Sequence, residues 1–429
     1  MPCPHRAFAL HSSQFNPEIL TLAPQMIAPA LFVITYIGIA LGKIPGVALD
    51  RVGIALLGAI AMVAFGVLTP ESAFRAIDLS TILLLYSLMI ISAQLRLGGF
   101  YSWSALNILT LLARPKRFLL ALMLLSALLS ALLANDIVCF AFTPVLATAL
   151  LQAQLNPLPF LLGLAVASNI GSAATIIGNP QNMLIGQVGQ LDFGGFLLWC
   201  GPPSVAALAA AYGIILLLFR KRLVMKYPGP PLQRGEDWPA FDRWQTSKGL
   251  IAVSTLIVLF FTPLPREVSA ISIAGVLLCS RRQKTRDILG LVDWHLITLF
   301  CALFIVIRGI LDTLTAPDLV ARMAGLGLDL HNLPLLTVVS TVLSNLFSNV
   351  PATMLLLPFL PLDQPAAWYT LALSSTFAGN LLLLGSIANL IVAEQALHFG
   401  IRISLRDHAV IGIPVTLVSL LILIGWIAL

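Results

Sequence analysis

Asp136 is the residue best placed to do chemistry. It is the one Asp, Glu, Lys or Arg between Phe118 and Leu191, in a stretch of apolar and small polar residues. An ionisable side chain at the centre of a bilayer costs about 2.5–3.5 kcal/mol on insertion scales, so such groups face a protein interior or a water-filled cavity. Asp136 is a candidate carrier of a proton or a cation. The alternative is a structural hydrogen-bond acceptor. Its neighbour Asn135 recurs later in the chain as Asn349, preceded by Ser348. Each amide offers an oxygen and two donors at what reads as the tip of a re-entrant helical hairpin. Capping two half-helices and coordinating an ion use the same geometry there.

Two further clusters interrupt apolar runs. The first is Gly178-Asn179-Pro180-Gln181-Asn182, where Pro180 removes a backbone donor and breaks a helix. The second is Gly385-Ser386-Ile387-Ala388-Asn389. Unwound carbonyls suit a small cation and half-helix N-termini suit an anion. A plain kink is the bland alternative. Ser168, Asn169, Ser172 and Thr175 lead into the first break and read equally as glue between helices. Arg308 could pair with Asp312, one turn away, or meet an anion, the bland reading being a side chain that snorkels to the membrane edge; Glu394 and His398 read as interfacial. Cys139, one turn after Asn135, is a soft ligand or, more simply, a buried inert thiol.

Such residues need elements that hold them inside a bilayer. Of 429 residues, 59% are hydrophobic and 10% charged, against about 25% charged in soluble domains. Several apolar runs approach the roughly 20 residues that cross a bilayer. The fold class expected is an all-α polytopic membrane protein. The five Cys show no CxxC, so neither a disulfide nor a zinc site is expected. The net charge of +6 sits in loops, where it reports topology and not nucleic-acid binding. No HExxH, GxSxG or P-loop is present, which argues against an enzyme, a cofactor and a self-contained ATP-driven pump.

Four segments follow in order. Residues 1–24 are polar. Residues 25–219 form a first repeat, with spans near 25–42, 46–66 and 79–97, an interfacial helix in 98–117, a hairpin at 118–152, a broken helix at 158–189 and a span near 196–219. Residues 220–248 carry seven Lys/Arg against three Asp/Glu and are placed in the cytoplasm. Residues 249–429 form a second repeat, with its hairpin at 333–362 and broken helix at 366–397. Ser126–Leu146 aligns with Ser340–Leu360, pairing Ser130 with Ser344, Asn135 with Asn349 and Pro144 with Pro358. Farther on, Gly178 pairs with Gly385 and Asn182 with Asn389, while Asp78 and Asp293 precede matching spans. Counting spans, the first hairpin enters from the cytoplasm and the second from outside. The expectation is two inverted-topology repeats, about 10 spans plus 2 hairpins, with the substrate near the midplane.

At these residues the sequence resembles the ion transporter superfamily, in particular the arsenical-pump and NhaD-type permease group with its citrate-transporter-like anion permeases. LLANDIVCFAFTPVL looks like the first-hairpin motif of the arsenite branch, SNIGSAATIIGNPQNMLIG like that group's broken-helix signature, and FSNVPATMLLLPF like its second hairpin. The resemblance implies a homodimer in the lipid bilayer, with a scaffold domain and a moving transport domain. It implies one Na⁺ site at Ser130, Asn135 and Gly178 and another at Ser344, Asn349 and Gly385. The threonines that help hold a carboxylate in dicarboxylate relatives are Asp136 and Val350 here, which departs from that pattern.

The function expected is a multi-pass inner-membrane secondary transporter. Its solute is a small anion or oxyacid, arsenite-like or carboxylate-like, moved by alternating access with H⁺ or Na⁺ as the coupling ion. One alternative is a Na⁺/H⁺ antiporter of the NhaD kind. Another is a channel, or the membrane subunit of a pump that depends on a soluble ATPase partner.

Overall fold

The computed structural model describes residues 17–42, 48–220, 240–280, 282–313 and 329–429. Lys43, Arg281, most of the basic linker and the segment 314–328 lie outside the described residues, as do residues 1–16.

The described residues are helical and contain no strand. In order they are α1 (Pro17–Leu41), α2 (Arg51–Ala64), α3 (Pro70–Ala76), α4 (Leu79–Leu97), α5 (Phe100–Ile108), α6 (Pro115–Leu132) and α7 (Asn135–Gln152). Next come α8 (Leu158–Ser172), α9 (Pro180–Val188), α10 (Phe193–Phe219), α11 (Arg243–Phe260), α12 (Arg266–Leu278), α13 (Thr285–Leu289) and α14 (Trp294–Thr313). The last are α15 (Leu333–Phe347), α16 (Asn349–Leu356), α17 (Pro365–Ala378), α18 (Ile387–Leu397) and α19 (Leu405–Ile427). α1 begins at Pro17, earlier than the residue 25 that hydropathy indicates. The helix outruns its apolar part.

Six of these helices are long and apolar enough to cross a membrane: α4, α6, α7, α10, α14 and α19. Large apolar side chains also point outward, as with Leu198 at 76% exposure and Leu217 at 74% on α10. A water-facing helix would carry charge there, and a lipid-facing one need not. The chain is a polytopic membrane protein.

Helix starts follow local chemistry. Asp78 accepts the Thr81 N–H at 2.6 Å and Asp293 accepts the Leu296 N–H at 2.9 Å, so both act as N-caps. In the stretch 98–117 the single interfacial helix expected is instead α5, a short 3₁₀ turn and the start of α6.

The two hairpins can be traced from side-chain contacts. α6 and α8 run parallel: a Cβ on Gly163 would meet Leu119 at 2.9 Å, Gly171 lies on the Ala127 backbone, and Thr175 Oγ1 donates to Ala131 O. The chain between them, α7, must therefore run back along its own path. The turn is at Leu133 and Ala134, whose extended backbone separates the helices. In the second half α15 and α17 run parallel, through Ser340 against Ser374 and Asn345 Nδ2 donating to Ala378 O at 3.1 Å. α16 and a short 3₁₀ turn at Leu357–Phe359 carry the chain back.

Other helices clamp these units. Arg266 Nη2, at the start of α12, donates to Gly186 O at 2.8 Å in the last turn of α9. Gln187 Nε2 donates to Glu267 Oε2 at 3.0 Å. Cation-to-carbonyl contact at a helix C-terminus is favourable. On the other side Tyr36 Oη of α1 donates to Pro351 O at 3.2 Å in the second hairpin.

Candidate functional site

Four helices start around one cavity. Asn135 opens α7, Pro180 opens α9, Asn349 opens α16 and Ile387 opens α18. The cavity, about 30 Å³, is lined by Asn135, Asp136, Pro180, Gln181, Leu296, Ser348, Asn349, Val350, Ser386 and Ile387. It therefore draws on both hairpin tips, both helix breaks and the first turn of α14. Each N-terminus carries roughly half a positive charge, so four give about +2. Asp136, half-buried in the wall, contributes a carboxylate. Among the described residues no Lys, Arg or His lines the cavity.

The first tip is held by a dense bonding network. Asn135 N–H faces Gly178 O at 3.4 Å, and Asn135 Nδ2 donates to Asn169 Oδ1 at 3.3 Å. Asn135 Oδ1 is buried without a hydrogen-bond partner. Ser130 sits behind the tip, its hydroxyl 2.7 Å from that of Ser168, which donates in turn to Asn135 O at 3.2 Å. Gly178 allows the break to close on itself: a Cβ there would meet the Ser172 backbone, with Cα at 2.6 Å. Asn179 caps α9 by accepting the Asn182 N–H at 2.8 Å. Asn182 Nδ2 then ties down the unwound carbonyls of Ser172 and Thr175, at 3.2 and 3.0 Å.

The second break repeats this bonding. Asn389 Nδ2 donates to Gly379 O at 2.8 Å and to Leu382 O at 3.3 Å. The second tip differs in its backbone. Ser348 has φ 76° and ψ 160°, a region costly to any residue but glycine. With its nitrogen turned inward, the Asn349 amide donates to Ser375 O at 3.1 Å and to Gly385 O at 3.2 Å. Ser344 is fully buried, with an unpartnered hydroxyl.

Asn169 sits between the halves. Its Nδ2 donates to Asn380 Oδ1 at 2.9 Å and Asn389 Oδ1 at 3.1 Å, and its Oδ1 accepts from Asn135 and from Ser386 Oγ at 3.0 Å. It is 2% exposed. Asn179 Nδ2 and Gln181 Nε2 cross the other way to Thr376 Oγ1, each at 3.3 Å.

Of the residues singled out from sequence, Asn135, Asp136, Pro180, Ser348, Asn349 and Ser386 line the cavity. Ser130, Gly178, Asn179, Asn182, Ser344, Gly385 and Asn389 lie behind that lining. Leu296 carries no sequence signal for such a role, because its place depends on α14 packing against a distant tip. Arg308 is exposed and pairs with Asp312 at 2.9 Å, while Glu394 and His398 are exposed; all four are away from the cavity. Cys139 is fully buried.

Residues 31–368 match the citrate transporter family. The chain belongs to that family. It is a transporter and not an enzyme. This citrate transporter family member is 27% identical to the silicon efflux transporter LSI3 of Oryza sativa subsp. japonica, over 88% of this chain and 92% of that one. It is 31% identical to the inner membrane protein YbiR of Escherichia coli, over 76% and 82% of the respective chains. Among solved structures, the YdaH transporter of Alcanivorax borkumensis superposes with a TM-score of 0.56 at 14% identity, over 95% of this chain and 98% of that one. That likeness is one of fold.

Proposed function

We propose that the protein is a secondary transporter for a small oxyacid, neutral or singly charged, coupled to H⁺ through Asp136. The observation that carries this is the convergence of four helix N-termini on a cavity whose described lining has one carboxylate and no cationic side chain. Helix ends worth about +2 set against one carboxylate leave a weakly positive site. That balance suits an undissociated hydroxy acid, such as arsenite or silicic acid in neutral form, or a monoanion. It does not neutralise a trianion such as citrate. The rice relative named for silicon efflux supports the oxyacid side of this choice. Amides and hydroxyls from Asn135, Asn349, Ser348 and Ser386 supply hydrogen bonds that an oxyacid can both accept and donate.

The mechanism is alternating access. The two hairpins and two broken helices form inverted repeats that move together against a scaffold, in a homodimer of the bacterial inner membrane. A two-fold relation between the halves is supported by the exchanged contacts, Asn169 with Ser386 and Thr376 with Asn179, which pair equivalent positions with the halves swapped. A space of about 30 Å³ holds a water or an ion, so the solute enters when the tips part. The inner-membrane assignment is supported by YbiR.

Na⁺/H⁺ antiport is the second reading. It is favoured by the unpartnered Asn135 Oδ1, a natural cation ligand next to Asp136. Proteoliposomes under imposed pH or Na⁺ gradients separate the two. Accumulation of arsenite or silicic acid driven by a pH gradient supports the oxyacid transporter. Proton movement answering Na⁺ alone, with no oxyacid accumulated, supports the antiporter.

A further inference from the structure

We infer that Asn169 is a positioning residue that fixes which face of the Asn135 amide meets the cavity. This rests on the reading of the cavity as the transport site. The argument runs along a chain of amides whose orientations are each set by the next. Asn389 must point its nitrogen at the carbonyls of Gly379 and Leu382, since carbonyls only accept. Its oxygen is thereby left to accept, and it accepts from Asn169 Nδ2. Asn380 Oδ1 holds the same nitrogen. Asn169 then presents its oxygen to the first tip, where Ser386 Oγ and Asn135 Nδ2 both donate to it. Both donors and both lone pairs of Asn169 are used. Asn135 spends its nitrogen inward, and its oxygen is the atom without a partner. The backbone of the second half thus dictates the polarity of the first tip.

The consequence is selectivity. With its nitrogen committed to Asn169, the Asn135 amide has only its oxygen left for a ligand of the cavity it lines, which favours a cation or a solute that donates a proton. A reversed amide would offer N–H, which disfavours a cation and pairs only with an acceptor oxygen of the solute.

The other half provides the control. Thr376 is the counterpart of Asn169, and its oxygen accepts amide donors from Asn179 and Gln181 while its proton goes to Ala372 O at 2.7 Å. Asn169→Thr keeps a buried acceptor oxygen of the kind Thr376 offers to amide nitrogens, and Asn169→Leu, similar in size, removes it.

The experiment uses the full-length protein, ¹⁵N-labelled at asparagine. The Asn135 side-chain resonance is assigned by its loss in Asn135→Asp. Slow hydrogen exchange of that amide in wild type and Asn169→Thr, with fast exchange in Asn169→Leu, is the expected result. In proteoliposomes Asn169→Leu then raises half-saturation for arsenite about tenfold, the loss of roughly one hydrogen bond's orientation, while Asn169→Thr stays near wild type. If Asn169→Leu does not fold, Asn169→Ala takes its place, with the same expectation. An Asn135 amide that exchanges fast in wild type, or slowly in the variants without an acceptor, overturns the inference. Slow exchange as expected, in a wild type that carries no oxyacid, leaves the positioning role standing and removes the proposed function.

Discussion

Asn169 and Ser386 meet at 3.0 Å, joining the helix before one break to the break of the other half. Thr376 and Asn179 make the corresponding junction at 3.3 Å with the roles exchanged. Two breaks that lean on each other in this way form one rigid unit. In the proposed mechanism these two breaks move together, which keeps both tips in register.

Gly178→Ala should disrupt the first break. The added methyl meets Ser172 backbone, which has no rotamer to give way. Overpacking of this kind costs about 1–3 kcal/mol. The expected outcome is a lower Tm in detergent with loss of transport, and an unchanged Tm would show that the break is looser than described.

Ser348→Gly should stabilise. Its backbone lies at φ 76°, where a non-glycine residue carries about 1–3 kcal/mol of strain. Glycine returns about 0.5–1 kcal/mol of that through the entropy of the unfolded chain. A net gain near 1 kcal/mol should appear as a raised Tm.

Cys279 tests orientation. It is exposed, whereas Cys139 and Cys200 are buried. It precedes the basic run Arg281–Asp287, which the positive-inside rule places in the cytoplasm. With Cys279 as the sole thiol, a membrane-impermeant maleimide should label inside-out vesicles and spare right-side-out ones. The reverse pattern would invert the topology.

Protonation of Asp136 removes the one negative charge from the cavity wall. Binding of an anion and binding of that proton must then favour each other equally. For a monoanion of fixed charge such as nitrate, apparent affinity should rise as pH falls. In Asp136→Asn it should be independent of pH. A pH profile that survives the substitution would place the coupling group elsewhere.

Much of this was legible in the sequence for simple reasons. A run from Phe118 to Leu191 with one charge can only be membrane-embedded or deeply buried. Polar breakers inside such runs have to meet a protein partner, since lipid offers none. The family resemblance rested on the same residues. What was not legible depends on contacts between distant segments. Asn169, in an apolar helix, reads as ordinary helix glue until Asn380, Ser386 and Asn389 are brought around it. Ser130, which the resemblance implies as a cation ligand, has its hydroxyl 2.7 Å from that of Ser168, a contact no local pattern announces. The start of α1 at Pro17 was hidden because hydropathy reports lipid contact and not helix extent.

The most direct test is uptake into proteoliposomes carrying an internal pH dye, with wild type and Asp136→Asn compared at equal reconstitution. Wild type should accumulate arsenite or silicic acid against its gradient when a pH gradient is imposed, with proton flux in step. Asp136→Asn should fold, insert and fail to couple. Gradient-driven accumulation by Asp136→Asn at the wild-type level would contradict the account.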